Sequence, residues 1–193
     1  EDRNPADYYR LIMQSELRNM QIVSDVIDCV KRGRTPVVMT KYKEHAQKLY
    51  DMLQGVADHV FLLQGGKSLK ERAAIREQMA AVRADESLVL VAIGQYVGEG
   101  FNYPRLDTML LAMPISFEGN VEQHAGRLNR DCEGKKDAII FDYIDQHVPT
   151  LKRMYYKRLR AYKKIGYEVC SEITDKQEDN IRRKCFSLIC AMQ

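Results

Sequence analysis

Along residues 6–31, apolar side chains at Leu11, Ile12, Leu17, Ile22, Val23, Val26, Ile27 and Val30 recur at intervals that approximate one helical stripe, behind Pro5. The pattern predicts one long helix packing on a sheet. Arg32, Gly33 and Arg34 end it, and Thr35 to Thr40 is a short apolar run with no polar face, as in a strand buried on both sides. Tyr42 to Leu53 then reads as helix closed by Gly55, Val56 to Leu63 as strand, Leu69 to Val82 as helix and Ser87 to Ile93 as a third strand. Leu106 to Met113 is a fourth strand. The breaker-rich turn Pro114 to Gly119 places a helix start near Asn120, before a fifth strand over Ala138 to Ile144. Val148 to Lys164 reads as helix ended by Gly166, and Lys176 to Cys190 as one more amphipathic helix. Strands alternating with helices at this spacing predict an α/β fold, a doubly wound and mainly parallel sheet with helices on both faces.

Composition excludes more than it proposes. In 193 residues, 45% apolar content with 30% charge fits a globular domain large enough for a core, and neither disorder nor a membrane class is indicated. The apolar runs fall short of a bilayer span and no charged-then-apolar leader opens the chain, so a cytoplasmic location is expected. Cys29, Cys132, Cys170, Cys185 and Cys190 are odd in number and have no Cys-x-x-Cys spacing, which reads as reduced thiols. His45, His59, His124 and His147 are dispersed, and no metal site is expected. A net charge of +3 does not announce nucleic acid by itself.

Three stretches carry candidate chemistry. Gly66-Lys67-Ser68 invites a phosphate-loop reading, but Phe61 stands where that motif needs its first glycine. Ser68 and Glu71 instead form a capping box for the helix that follows. In the second stretch, Glu122 to Arg130, Arg127 and Arg130 lie three apart, which puts both on one helical face. With Gln123 close by, and Gly126 letting another backbone approach, they suit bidentate contact with phosphate. Pairing with Asp131 and Glu133 on a solvated face is the other reading, and spacing alone leaves both open. The third stretch is the basic helix Val148 to Lys164, where Lys152, Arg153, Lys157, Arg158, Arg160, Lys163 and Lys164 are candidate contacts to a nucleic-acid backbone. Its alternative is an ordinary solvated face with Leu151, Met154, Tyr155, Leu159 and Tyr162 turned inward, and this reading is preferred.

Gln123, Gly126, Arg127 and Arg130, as Gln-x-x-Gly-Arg-x-x-Arg, resemble the last motif of superfamily 2 DEAD/DEAH-like helicases, in the second RecA-like domain. Upstream, Gly98-Glu99-Gly100-Phe101-Asn102-Tyr103-Pro104 is similar to the Gly-hydrophobic-Asp-x-Pro loop preceding it in that family, with Asn102 where aspartate is common. Finding both motifs in order favours the phosphate reading of the arginines. The resemblance covers roughly Thr35 to Gly166. It implies a C-terminal RecA-like helicase domain over 35–166; the apolar pattern adds an N-terminal helix packing on that domain over 1–34 and, outside the resemblance, a helical extension over 167–193.

In that family ATP lies between two RecA-like domains, the first holding the phosphates and Mg²⁺ and the second supplying arginines. The resemblance thus implies Arg130 as the main arginine finger, Arg127 as its partner and Gln123 as a coupling residue, with Glu99, Gly100 and Asn102 facing the nucleotide. Thr40, Gly65, Gly66 and Gly94 match positions that contact nucleic acid. A complete phosphate loop and an acidic Mg²⁺ motif are absent from these residues. The expectation is the C-terminal motor domain of an ATP-dependent DNA or RNA helicase or translocase. Its partners are an N-terminal RecA-like ATPase domain and nucleic acid, not a membrane. ATP and Mg²⁺ belong to the complete enzyme, and this domain alone holds neither and hydrolyses ATP negligibly. The competing class is a non-catalytic RecA-like module for nucleic-acid binding or scaffolding.

Overall fold

The structure, a computed structural model, describes residues 5–66, 68–94, 102–115, 118–171 and 186–192. Helices α1 (Pro5–Gln14) and α2 (Glu16–Lys31) precede strand β1 (Pro36–Thr40), followed by α3 (Lys43–Met52), β2 (His59–Leu63), α4 (Leu69–Ala80) and β3 (Leu88–Ile93). Then come β4 (Thr108–Leu111), α5 (Glu118–Leu128), β5 (Asp137–Tyr143), α6 (Pro149–Lys164), β6 (Glu168–Ser171) and β7 (Phe186–Met192). They form one seven-stranded sheet in the order β2-β3-β1-β4-β5-β7-β6. The first five strands are mutually parallel, whereas β7 runs antiparallel to β5 and to β6.

The central strands β1, β3 and β4 are buried along their whole length because both faces of the sheet are covered there. Side chains alternate between two cores. Val37 and Met39 of β1 with Leu88, Leu90 and Ala92 of β3 pack toward Met79 of α4, Ala125 and Leu128 of α5, and Ala161 and Tyr162 of α6. Val38, Val89, Val91 and Ile93 face the other way, onto Ile22 and Val26 of α2 and Ala46 and Leu49 of α3. This is the doubly wound α/β arrangement that the alternating pattern predicts.

Two elements differ from the sequence reading. The first helix is two: the chain breaks at Ser15, whose hydroxyl accepts from Arg18 N and caps α2. A serine within an apolar stripe was overlooked as a helix start. The break lets α1 cover the carboxyl end of the sheet, where Tyr9 and Ile12 pack with Met113, Leu151 and Met154. At the other terminus, the helix expected over Lys176 to Cys190 is wrong where it can be judged. Phe186–Met192 is a strand hydrogen-bonded to β5, and residues 172–185 lie outside the described residues. The tail beyond residue 167 therefore extends the sheet in its described parts. Its apolar positions Phe186, Leu188 and Cys190 also fit a period of two, which a helical template absorbed.

Candidate nucleotide-facing site

Two loops on neighbouring strands build the site. The segment from Asn102 leads into the amino end of β4, and the segment past α5 leads into the amino end of β5, its direct neighbour. Lys135 joins them: its Nζ donates to the carbonyls of Pro104 at 3.1 Å, Leu106 at 2.8 Å and Arg130 at 2.9 Å. Burial lowers the Lys135 pKa, with nearby Asp107 opposing. On its outer side the first loop is held by Tyr103, whose hydroxyl donates to Met79 O at 3.0 Å, and by Arg105, which donates to the carbonyls of Arg83 and Glu86. Tyr167 secures α5 from behind, donating to Ala125 O at 3.2 Å and meeting Asn129 Oδ1 at 2.8 Å. Apart from Tyr103, which lies in the quoted loop, these anchoring residues were not singled out from the sequence, because they are far apart along it and no local spacing reveals them.

Across these loops Arg130 donates from Nη1 to Asn102 Oδ1, so the two motifs touch. Arg130 is exposed and meets no carboxylate among the described residues, and Asp131 and Glu133 make no ion pair there with Arg127 or Arg130. The solvated-pair alternative therefore fails for Arg130. Burial, and then the charge of Arg130, lower the pKa of half-buried Arg127. A guanidinium still keeps its proton, so two adjacent positive charges concentrate here. Beneath them lies a cavity of about 10 Å³, room for about one water, walled by Met39, Tyr103, His124, Arg127 and Arg130. His124 is buried and its pKa falls to about 4, first by burial and then by Arg127, so it is neutral and adds no charge. Its ring lies close to Gly94, where a Cβ would come within 3.5 Å of His124 Nε2.

The other expected site residues fare differently. Helix α5 runs to Leu128 with Arg127 in its last turn, and Arg130 follows two residues later, in the turn that leaves the helix. Gly126 is exposed, and among the described residues no neighbouring element comes within 4 Å of its Cβ position. Gln123 is exposed on α5. Glu99 and Gly100 lie outside the described residues.

Thr40 is buried, and its hydroxyl is 2.8 Å from His45 Nδ1. Asn19 Nδ2 donates to Met13 O at 3.0 Å, which turns Asn19 Oδ1 toward His45 Nε2 at 2.9 Å. The ring must donate from Nε2 and accept at Nδ1, so Thr40 gives its proton inward. Burial, then the charges of Arg18 and Lys48, lower the His45 pKa to about 4 and keep it neutral. In this arrangement the Thr40 hydroxyl proton is engaged by His45, while its main chain stays at the carboxyl end of β1. Gly65 and Gly66 form the turn after β2. Gly66 has φ +91°, and Lys43 Nζ lies 3.1 Å from where its Cβ would be. That lysine, missed in the sequence, brings a cation to the glycine turn. Ser68 makes the expected capping box with Glu71, which occupies the serine that a phosphate loop would need. No cluster able to hold a metal ion occurs among the described residues.

The sheet order, the helices on both faces and the joined loops define a RecA-like α/β domain. The solved T4 UvsW structure superposes with a TM-score of 0.67 at 16% identity, over 85% of this chain and 36% of that one. No protein-family model matches the chain. Among curated proteins, transcript termination protein A18 of fowlpox virus is 26% identical over 157 residues, 77% of this chain and 33% of that protein. "Probable helicase D10" of Escherichia phage T5 is 26% identical over 147 residues, 76% of this chain and 32% of its own length. Uncharacterized protein 108L of invertebrate iridescent virus 3 is 36% identical over 87 residues, 44% of this chain and 76% of that protein. The fold is thus RecA-like, and the sequence is similar to that of viral and phage proteins, a probable helicase among them, over part of their length. The chain spans about a third of the length of the fowlpox and phage T5 relatives. No helix among the described residues is long and apolar enough to cross a membrane.

Proposed function

We propose that this chain is the C-terminal motor domain of an ATP-dependent DNA or RNA helicase or translocase, and that Arg130 and Arg127 complete an ATP site shared with a first RecA-like domain. The observation that carries this reading is the exposed Arg130 guanidinium, held against neutral Asn102 rather than a carboxylate, with Arg127 beside it. Two cations without neutralisation of Arg130 fit a polyphosphate. ATP would supply the phosphoryl group transferred to water, and Mg²⁺ would be held by the first domain.

Arg130 acts on charge that develops during transfer, and Arg127 holds the same oxygens from the other side. Asn102 orients Arg130, and its amide is chemically suited to a ribose hydroxyl. Gln123 couples the nucleotide to the domain interface, and Glu99 and Gly100 complete the nucleotide-facing loop. Nucleic acid would cross the carboxyl edge of the sheet through main-chain groups at Thr40, Gly65, Gly66 and Gly94, aided by Lys43. Lys135 is a positioning residue, since it fixes the Arg130 carbonyl to the Asn102 loop.

The test is nucleic-acid-stimulated ATP hydrolysis by the polypeptide that joins this chain to a first RecA-like domain. Arg130→Ala should lower kcat by about a thousandfold with KM changed far less, because the fork acts on the transition state. Arg130→Lys should not restore the rate, as a point charge cannot form the planar fork. Full activity in Arg130→Ala would refute the assignment. The 193-residue chain alone should hydrolyse ATP negligibly.

A further inference from the structure

Helix α6 concentrates cations in a way that its packing makes unambiguous. Its sixteen residues hold seven lysines and arginines and no carboxylate, in a chain whose net charge is only +3. The sequence could not say which of them face water. In the structure Arg158 is removed from that set: it is buried and bonded to Asp142 through Nε at 2.7 Å and Nη2 at 2.8 Å. Tyr162 also bonds Asp142 at 3.1 Å, and Leu151, Met154, Tyr155 and Leu159 are buried beside it. These contacts fix the rotation of the helix.

The remaining cations, Lys152, Arg153, Lys157, Arg160, Lys163 and Lys164, are all exposed. At 100° per residue they fall within an arc of about 140°, and the stripe from Lys152 to Lys164 is about 18 Å long. That is the axial rise of about five base pairs. Tyr156 sits in the same arc and is 50% exposed. Lys164 reaches Glu122 at 3.1 Å and Arg153 reaches the Thr150 hydroxyl at 3.1 Å, while Lys152, Lys157 and Lys163 meet no carboxylate among the described residues. Like charges on one face repel one another unless a polyanion lies along them.

We propose that the outer face of α6 is a phosphate track that binds a nucleic-acid backbone, separate from the carboxyl edge of the sheet, with Tyr156 available to stack on an unpaired base. Charge complementarity selects the partner: a rigid, linear array of cations about five phosphates long matches a regularly spaced linear polyanion. The aromatic group among the cations favours a strand with accessible bases over a lipid surface. This inference goes beyond the ATP site and stands independently of it.

The experiment measures binding of the 193-residue chain, without nucleotide, to a fluorescent 20-nucleotide single strand and a 20-base-pair duplex over a series of salt concentrations. The double variant K157Q/K163Q should bind at least about tenfold more weakly at low salt. Its log–log salt slope should be shallower by about 1.4 on single strands and 1.8 on duplex. The control double variant K31Q/R32Q, which removes the same charge from exposed positions at the end of α2, should leave the slope unchanged. Tyr156→Ala should weaken single-strand binding several-fold and leave the salt slope alone. Thermal unfolding of each variant should match the parent. If both double variants lowered the slope equally, or the parent bound neither nucleic acid, or it bound anionic phosphatidylserine vesicles in preference to both, the track would be refuted. None of these outcomes depends on ATP turnover, so failure here and failure of the arginine-finger assignment are told apart.

Discussion

Arg158 and Arg130 belong to adjacent parts of the same layer of the domain and have opposite surroundings. Arg158 is enclosed, forked onto Asp142 and also donating to Ile115 O, and that carboxylate raises its pKa despite burial. Arg130 is exposed, and its guanidinium donates to the amide of Asn102 with no carboxylate paired to it among the described residues. An arginine whose geometry is spent on a buried carboxylate holds helices together. One positioned by its backbone and left open to solvent can receive a ligand. The sequence reading puts both on helical segments; the difference is created by what each guanidinium meets, a buried carboxylate on β5 or the loop amide of Asn102.

The comparison can be broken in several ways. Replacing Arg158 with Met should cost about 3–5 kcal/mol, because Asp142 would be left buried and uncompensated. Denaturant unfolding measures this, and the pair Arg158→Met with Asp142→Leu should recover much of the loss. A single substitution costing under about 1 kcal/mol would remove the contrast.

Acid should reveal the two buried neutral histidines next. His45 and His124 have pKa values near 4 in the fold, against an ordinary value of 6.5. The unfolded chain therefore binds more protons between these values, and stability present above about pH 6.5 is lost as pH falls toward 4. Up to a few kcal/mol is at stake. Unfolding free energies compared at pH 7 and pH 5 test this, and His124→Gln should reduce the difference. A level profile would show that the rings are not buried neutral.

Lys135→Met should cost about 1–3 kcal/mol by leaving three carbonyls without their donor. In the joined polypeptide it should also depress turnover, with partial rescue by arginine, whereas a purely structural loss would spare kcat in the folded fraction. Arg130→Ala is the smallest effect on folding: about 0.5 kcal/mol or less by denaturant, as for other exposed side chains. A larger loss would make Arg130 a structural residue like Arg158.

Much of this was legible in the chain. The five parallel strands stand out as short, mostly apolar runs, most plainly the fully buried β3, and Ser68 with Glu71 announced the start of α4. The two motifs placed Asn102 and Arg130 in one site, and the structure puts them in contact. What escaped depended on long-range contacts or on competing periods. Lys135 bonds to carbonyls 5, 29 and 31 positions away. Thr40 looked available because nothing local shows that Asn19, 26 positions from His45, fixes the ring. Phe186–Met192 satisfies a helical stripe and a strand alternation equally, and only pairing with β5 decides. Arg127 and Arg130 fall at the very end of α5, where spacing along the chain does not show that a turn takes over.

The central claim is that Arg130 recognises the reacting phosphoryl group and contributes little to the resting nucleotide. The most direct measurement is the affinity of the joined polypeptide for ADP with aluminium fluoride, a mimic of the group in transfer, beside its affinity for ADP alone. Arg130→Ala should weaken binding of the mimic by about a hundredfold or more while ADP binds within a few-fold of the parent. Equal affinities of parent and variant for the mimic would contradict the claim.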